Sequence, residues 1–221
     1  SGLIKHDFNH NWKLNFNVSY QDYIRTSKGT ERIQPKDDGK WERPLGQNRN
    51  EEKIASEQLS LQGNFVTGKI KHQLFTGADF ENSFAEAYTF TFKPSATYGS
   101  GNIFNFENFD QTKGIIGIPD AELSKIVKTT TNRFGIYAQD LISLTDKIKV
   151  LAGIRWSWQE SQPETHTLDV DPITIVEGVK QKDVAFSPKV GIVYQPTKQT
   201  SLFASYSDSF TPNTGTTVDG K

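Results

Sequence analysis

A chain of 221 residues with 23% charged and 34% hydrophobic side chains and a mean hydropathy of −0.59 is too polar for an ordinary soluble core, yet 12% of it is aromatic. A net charge of −1 points away from nucleic acid and from anionic lipid as electrostatic partners, and the absence of cysteine excludes disulfides, thiolate metal sites and cysteine nucleophiles. No apolar run approaches the roughly 18 residues of a membrane helix, so only strands could cross a bilayer. There is no methionine, not even at position 1, which predicts a processed chain or an internal piece of a longer one; no secretion signal is visible in the first twenty residues.

Eight strands are predicted in chain order, over residues 3–8, 12–25, 53–66, 69–90, 133–143, 147–158, 184–195 and 200–210. They fall into four hairpins with one plan. In the second strand Trp12, Leu14, Phe16, Val18 and Tyr20 alternate with Lys13, Asn15, Asn17 and Ser19. Successive strand side chains point to opposite faces, so one face is apolar and the other polar. The same count holds over 148–158, where Ile148, Val150, Ala152, Ile154, Trp156 and Trp158 share one parity. Residues 70–84 are looser, with His72, Thr76 and Asn82 interrupting the apolar row.

Short turns are predicted at 9–11, 67–68, 145–146 and 196–199. Long polar loops are predicted at 26–52, 91–132 and 159–183, with another starting at 211. Tight turns at one end and long loops at the other are the asymmetry of an outer-membrane barrel. The fold class expected is therefore all-β: an antiparallel, up-and-down transmembrane β-barrel, here a partial barrel of about eight strands. Its apolar row would face lipid and its polar row a hydrated lumen.

Spacing tests this. Trp12 to Tyr20 and Phe186 to Tyr194 each span eight positions on one face. At about 3.3 Å per residue and a tilt near 40° that is roughly 20 Å of height, against a band of about 25 Å between aromatic girdles. Trp12, Phe65 and Tyr194 would form the girdle at the short-turn end, and Tyr20, Phe80, Trp156 and Phe186 the other. Eight of nine prolines fall in predicted loops or turns; Pro188 falls inside a strand and predicts a bulge or a delayed start of pairing. Leu123, Ile126 and Val127 have helical spacing, predicting a short surface helix over 120–128.

The run RFGIYAQDLISLTDKIKVLAGIRWSWQE at 133–160 resembles a hairpin of the TonB-dependent siderophore receptors, as does FSPKVGIVYQPTKQTSLFASYSDSFTPNTG at 186–215. NIFNFENFD at 102–110 is similar to a loop of hydroxamate-siderophore receptors in that family. The resemblance implies part of a 22-stranded barrel in the outer membrane of a Gram-negative-type cell. In the family this barrel is closed by an N-terminal plug domain and imports a ferric siderophore with energy relayed by the TonB complex. Residues 1–221 are then expected to be part of one barrel domain, without the plug, a signal peptide or the last barrel strand. Expected partners are a ferric siderophore, the plug of the same protein, TonB through that plug, and outer-membrane lipid, with no nucleic acid. No enzyme activity, cofactor or bound metal is expected. A passive porin-like channel, a barrel enzyme and a soluble β-sandwich binding module stay open as rivals.

Two groups are the candidate site. Tyr98, Phe104, Phe106 and Phe109 put four aromatic rings in one Gly- and Asn-rich loop, where flat faces could hold a bulky chelate or pack on a neighbouring loop. Lys71, Asp79, Glu81, Lys149, Arg155 and Lys189 lie on polar faces and are expected to form lumen ion pairs or to contact the plug. His6, His10, His72 and His166 have no metal-ligand spacing. Glu164, Asp169, Asp171 and Glu177 could supply oxygen ligands to Ca²⁺, but a solvated acidic loop explains them as well. The serine row Ser201, Ser205, Ser207 and Ser209 has no nucleophile elbow and reads as lumen wall.

Overall fold

A computed structural model of the chain describes residues 1–30, 35–42, 44–93, 100–105 and 118–212. Eight long strands form one antiparallel meander: β1 Gly2–Asp7, β2 Trp12–Thr30, β4 Leu45–Thr67, β5 Ile70–Thr91, β7 Glu122–Ser143, β8 Ile148–Thr167, β10 Gln181–Thr197 and β11 Thr200–Ser207. Three short strands complete the set: β3 Lys40–Glu42, β6 Ser100–Asn102 and β9 Thr174–Glu177. Among the described residues β1 and β11 are unpaired edges, so the sheet is a barrel wall that does not close.

Tight turns begin where the chain supplies its own bonds. Asn9 Oδ1 accepts from the amides of Asn11 and Trp12 (2.8 and 3.0 Å), and Thr145 Oγ1 from those of Lys147 and Ile148 (3.2 and 3.0 Å). Gly68 turns the β4–β5 hairpin at φ +64.

Register carries the alternation across the sheet. Phe16, Leu59, Ala78, Ile136 and Trp156 are successive cross-strand partners, and so are Asn17, Gln58, Asp79, Gly135 and Ser157. One face is thus apolar and the other polar from β1 to β11. Among the described residues no hydrophobic side chain is buried; the buried ones are polar, Ser60 (6% exposed), Ser157 and Gln159 among them. Leu59, Ile136, Ile154, Phe186 and Ile192 are all exposed. A soluble sandwich would seal that row inside, so the β-sandwich reading is set aside. At the short-turn end two of the three predicted girdle residues meet: Trp12 stacks on Phe65 (6.2 Å), and Phe65 stacks in turn on His72 (4.6 Å).

Four expectations are corrected. The strands are longer than predicted at the loop end: β4 begins at Leu45, β7 at Glu122, and β8 runs to Thr167. β11, by contrast, stops at Ser207. Beyond Trp156 and Phe186 the alternation of apolar and polar residues fades while the backbone ladder continues. The helix over 120–128 is instead the start of β7. Phe90 pairs with Leu123 and Thr89 with Lys125, leaving Ser124 as a bulged residue. One extra residue puts Leu123 and Ile126 on the same face, and their three-residue spacing imitates a helix.

At Pro188 there is no bulge; the other expected outcome, a delayed start of pairing, is found on the β11 side. Pro188 pairs with Ile154 in unbroken register, and its carbonyl accepts from Asp208 N (3.0 Å) beyond the end of β11, whose pairing starts at Lys189. Its missing amide therefore faces the side where no ladder runs. Pro163 and Pro196, placed in a loop and a turn by the sequence, also lie in strands. Pro163 faces the break between β9 and β10, where Gly178 N bonds its carbonyl (2.7 Å), and Pro196 sits in the irregularity between Tyr194 and Thr197.

Candidate functional site

Register puts Lys71, Asp79, Glu81, Lys149, Arg155 and Lys189 all on the polar face. Two ion-pair units cross its middle. Arg155 donates from Nη1 and Nη2 to the two carboxylate oxygens of Asp79, 2.7 Å each, and from Nε to Ser157 Oγ (3.0 Å). Arg133 pairs with Glu81 and donates to Gln159 Oε1 (2.8 Å). Such forked, charge-assisted bonds fix the guanidinium plane as well as its position. Lys71, Lys149 and Lys189 have no ion pair among the described residues.

Arg133, Tyr137, Gln58 and Gln159 belong to this network and were not singled out from the sequence. Their parity was the available signal; their partners lie up to 79 residues away. Tyr137 accepts from Gln58 Nε2 (3.2 Å), its ring is 5.2 Å from that of Phe75, and Arg155 sits 5.7 Å from its centre. Glycine makes the space. A Cβ at Gly135 would come within 2.0 Å of Arg155 Nη2, and one at Gly77 within 2.7 Å of Tyr137 Oη.

On the other face, at the short-turn end, His72 Nδ1 meets Asp140 Oδ2 at 2.6 Å, so these two ionisable groups of the apolar row partner one another. No group of three His, Asp or Glu able to hold a metal occurs among the described residues. Glu164 is engaged by His166 rather than by a cation site.

Of the aromatic loop, Tyr98, Phe106 and Phe109 lie outside the described residues; Phe104 lies within them and is 76% exposed. β3 and β6 pair across two different loops, Lys40 with Asn102, Trp41 with Gly101 and Glu42 with Ser100. Gly39, at φ +80, lies under the Phe104 ring, where a Cβ would come within 2.4 Å; Gly101 lies under Trp41, where one would come within 2.6 Å. Asn102 ties the clasp by donating to the Asp38 carbonyl (3.0 Å) and accepting from the Phe104 amide (2.8 Å). Phe104 thus packs on a neighbouring loop with one face and leaves the rest to solvent. Trp41 had no sequence signal, since a lone aromatic in a polar loop has no periodicity.

Above the upper aromatic row, Glu160 accepts from Lys180 (2.8 Å) and pairs with Lys182 (3.0 Å), tying the start of β10 to β8. The bond from Lys180, then that from Lys182, holds its carboxyl below the ordinary glutamate range. A depressed pKa means a tie complete above the unfolded glutamate value and lost as pH falls through the folded one. Amide exchange at Gln181–Asp183 is therefore expected to lose protection on acidification below about pH 4, and Glu160→Gln to lack that protection at every pH. Equal exchange in both proteins at pH 7 would remove the tie from the account.

The family model described as TonB dependent receptor-like, beta-barrel, matches residues 2–220. The metal-pseudopaline receptor of Pseudomonas aeruginosa strain PAO1 is 27% identical over 219 residues, covering 99% of this chain and 30% of that protein. The ferric-catecholate import receptor Fiu of E. coli K12, in an open form, superposes with a TM-score of 0.71 at 24% identity, over 94% of this chain and 34% of that one. The ferripyoverdine receptor of the Pseudomonas aeruginosa outer membrane, bound to ferripyoverdine, gives 0.64 at 22%, over 95% and 26%. The chain thus spans about a third or less of the length of these proteins.

Proposed function

The chain belongs to the TonB-dependent receptor β-barrel family, and from that premise we propose that it forms part of the wall and extracellular loops of an outer-membrane receptor taking up a ferric siderophore. The observation that carries the reading is the inverted sheet: apolar residues exposed along one face, polar residues buried and bonded along the other. That division suits lipid outside and a hydrated lumen inside. In this reading the polar face contacts the plug of the same protein, and TonB acts through that plug. The relatives whose names give a ligand are receptors for a metal–pseudopaline complex, a ferric catecholate and ferripyoverdine. A metal chelate is accordingly the substrate class proposed here, as cargo rather than resident cofactor. Tyr98, Phe104, Phe106 and Phe109 would supply flat contact area to it, with Trp41 on the same clasp as Phe104. The chemistry is binding and passage; no bond of the cargo is made or broken.

Cells carrying the parent gene, and cells lacking it, would be compared for uptake of radiolabelled iron on a panel of siderophores. Uptake that needs the gene and stops when the proton gradient is collapsed is expected. Uptake indifferent to the gradient would favour a passive channel and end the energised reading. In the full-length receptor, Phe104→Ala and Phe106→Ala are each expected to weaken chelate binding without removing the protein from the membrane. Unchanged affinity in both would end the role given to those rings.

A further inference from the structure

The net charge of −1 conceals a division along the wall. Residues 5–13, 65–73, 139–149 and 194–201 comprise the four short turns and the strand ends beside them. They hold seven of the chain's 25 lysines and arginines but only three of its 26 acidic residues. Of those three, Asp7 lies opposite Lys13, Asp140 is held by His72, and Asp146 stays beside Lys147 on one turn. The short-turn end is therefore positive, and the remainder of the chain carries the balancing negative charge.

Three hairpin tips carry part of that charge at the very rim. Lys69 lies between β4 and β5, Lys147 between β7 and β8, and Lys198 between β10 and β11. All three are exposed and form no ion pair among the described residues. Each stands beside the lower end of the lipid-facing row. Phe65 precedes the first tip, Leu144 opens the second in the parity of Ile142, and Tyr194, paired with Ile148, precedes the third; these three side chains are exposed. The lysines thus lie within about four residues of the apolar border, no more than about 10 Å below it at ordinary rise and tilt. A headgroup layer is about 5–8 Å thick on each side of the hydrocarbon, and a lysine stem bridges the difference while its head stays in water. Gln195 N bonds the Lys147 carbonyl (2.7 Å), and β5, β7 and β8 are successive strands, so neighbouring tips are one or two strands apart, about 5–10 Å. One small anion needs its donors within about 3 Å and cannot be shared over that arc. A row of separate phosphates can.

We propose that Lys69, Lys147 and Lys198 hold the phosphates of anionic phospholipids in the leaflet at the short-turn end, one headgroup to each tip. This rests on the reading of the apolar row as lipid-facing, and adds the chemistry of the lipid and the leaflet in which this wall selects it. A lysine close to an anionic membrane surface contributes about a fivefold preference at low salt. The exposed apolar residue beside each tip seats it in the interface, which a site for a soluble anion does not require.

The test uses the full-length receptor in phosphatidylcholine bilayers holding a trace of spin-labelled phosphatidylglycerol or of spin-labelled phosphatidylcholine. Electron spin resonance reads the fraction of each that is held at the protein. Expected is a preference for phosphatidylglycerol of about fivefold at low salt, shrinking as salt is raised. It should fall to near parity in K69Q/K147Q/K198Q and return in K69R/K147R/K198R. Heat-modifiable migration on gels shows which variants fold, and the single variants K69Q, K147Q and K198Q, each expected to lose part of the preference, serve where the triple does not. No preference in the parent, or an undiminished one in the glutamine variants, would overturn the proposal. So would its loss on adding soluble glycerol phosphate at matched ionic strength, which would assign the lysines to a free anion. A preference found in a receptor that takes up no iron chelate would leave the lipid site standing and remove only the transport reading.

Discussion

Leu59→Arg is expected to destabilise the folded, inserted protein by about 2–4 kcal/mol, the cost of a guanidinium near the middle of the lipid-facing surface. Leu59 lies on β4 between the two aromatic rows, with Phe16 and Ala78 as its cross-strand neighbours, and is 46% exposed with no protein layer above it. In water such a position tolerates arginine, since exposed charges cost nothing there. In hydrocarbon the head group must snorkel or drag water with it. The measurement is urea unfolding of the full-length protein in phospholipid bilayers. Gln73→Arg, on the adjacent strand β5 but on the polar face, is the control and should fall within about 0.5 kcal/mol of the parent. Equal effects from the two substitutions would mean that the faces are not in different solvents.

Gly77→Val is expected to cost on the order of 1–3 kcal/mol through overpacking. A Cβ there would lie 2.3 Å from the Leu59 carbonyl oxygen, which is backbone in the adjacent strand and cannot turn aside. It would also strike the Tyr137 hydroxyl at 2.7 Å. Moving that ring breaks the bond from Gln58 and disturbs the tilted ring contact with Phe75 and the approach of the Arg155 guanidinium. The loss would spread through the ion-pair belt, and exchange protection should fall at Arg155 and Asp79 as well as at residue 77. Gly191→Ala is the contrast, because its nearest neighbours stand at 3.5 Å. A strand glycine with room gains from a side chain. Matching urea midpoints for the two variants would refute the close approach.

Much of the wall was legible before any coordinates. The parity of Trp12, Leu14 and Phe16 against Lys13, Asn15 and Asn17 placed the apolar row, and the pairing of Trp12 with Phe65 followed from their common face and end. The extent of the strands was not legible. Thr165 and Thr167 read as loop because nothing alternates there, yet they pair with Val127 and Lys125. Alternation records a difference between two solvents, and above the membrane there is only one. Ser124 misled for a related reason, since a bulge shifts parity by one and leaves no mark in composition.

The candidate site divides along the same line. That Asp79, Lys149 and Arg155 share the polar face is a matter of counting along each strand and of register. That Arg155 takes Asp79, 76 residues away in sequence, while Lys149 forms no ion pair among the described residues is a matter of which strands lie side by side and of how far each side chain reaches. Likewise the loop holding Phe104 could be recognised as aromatic, but its clasp on Gly39 and the part played by Trp41 depend on two loops meeting.

From the chain alone came the period of two, the aromatic heights and the turn asymmetry, because these are local responses of single strands to lipid on one side and water on the other. The tertiary arrangement alone decided the partners: which charges pair and which loops are joined. Pairing depends on distances between residues remote in sequence, and no periodicity along one strand encodes the neighbour on the next.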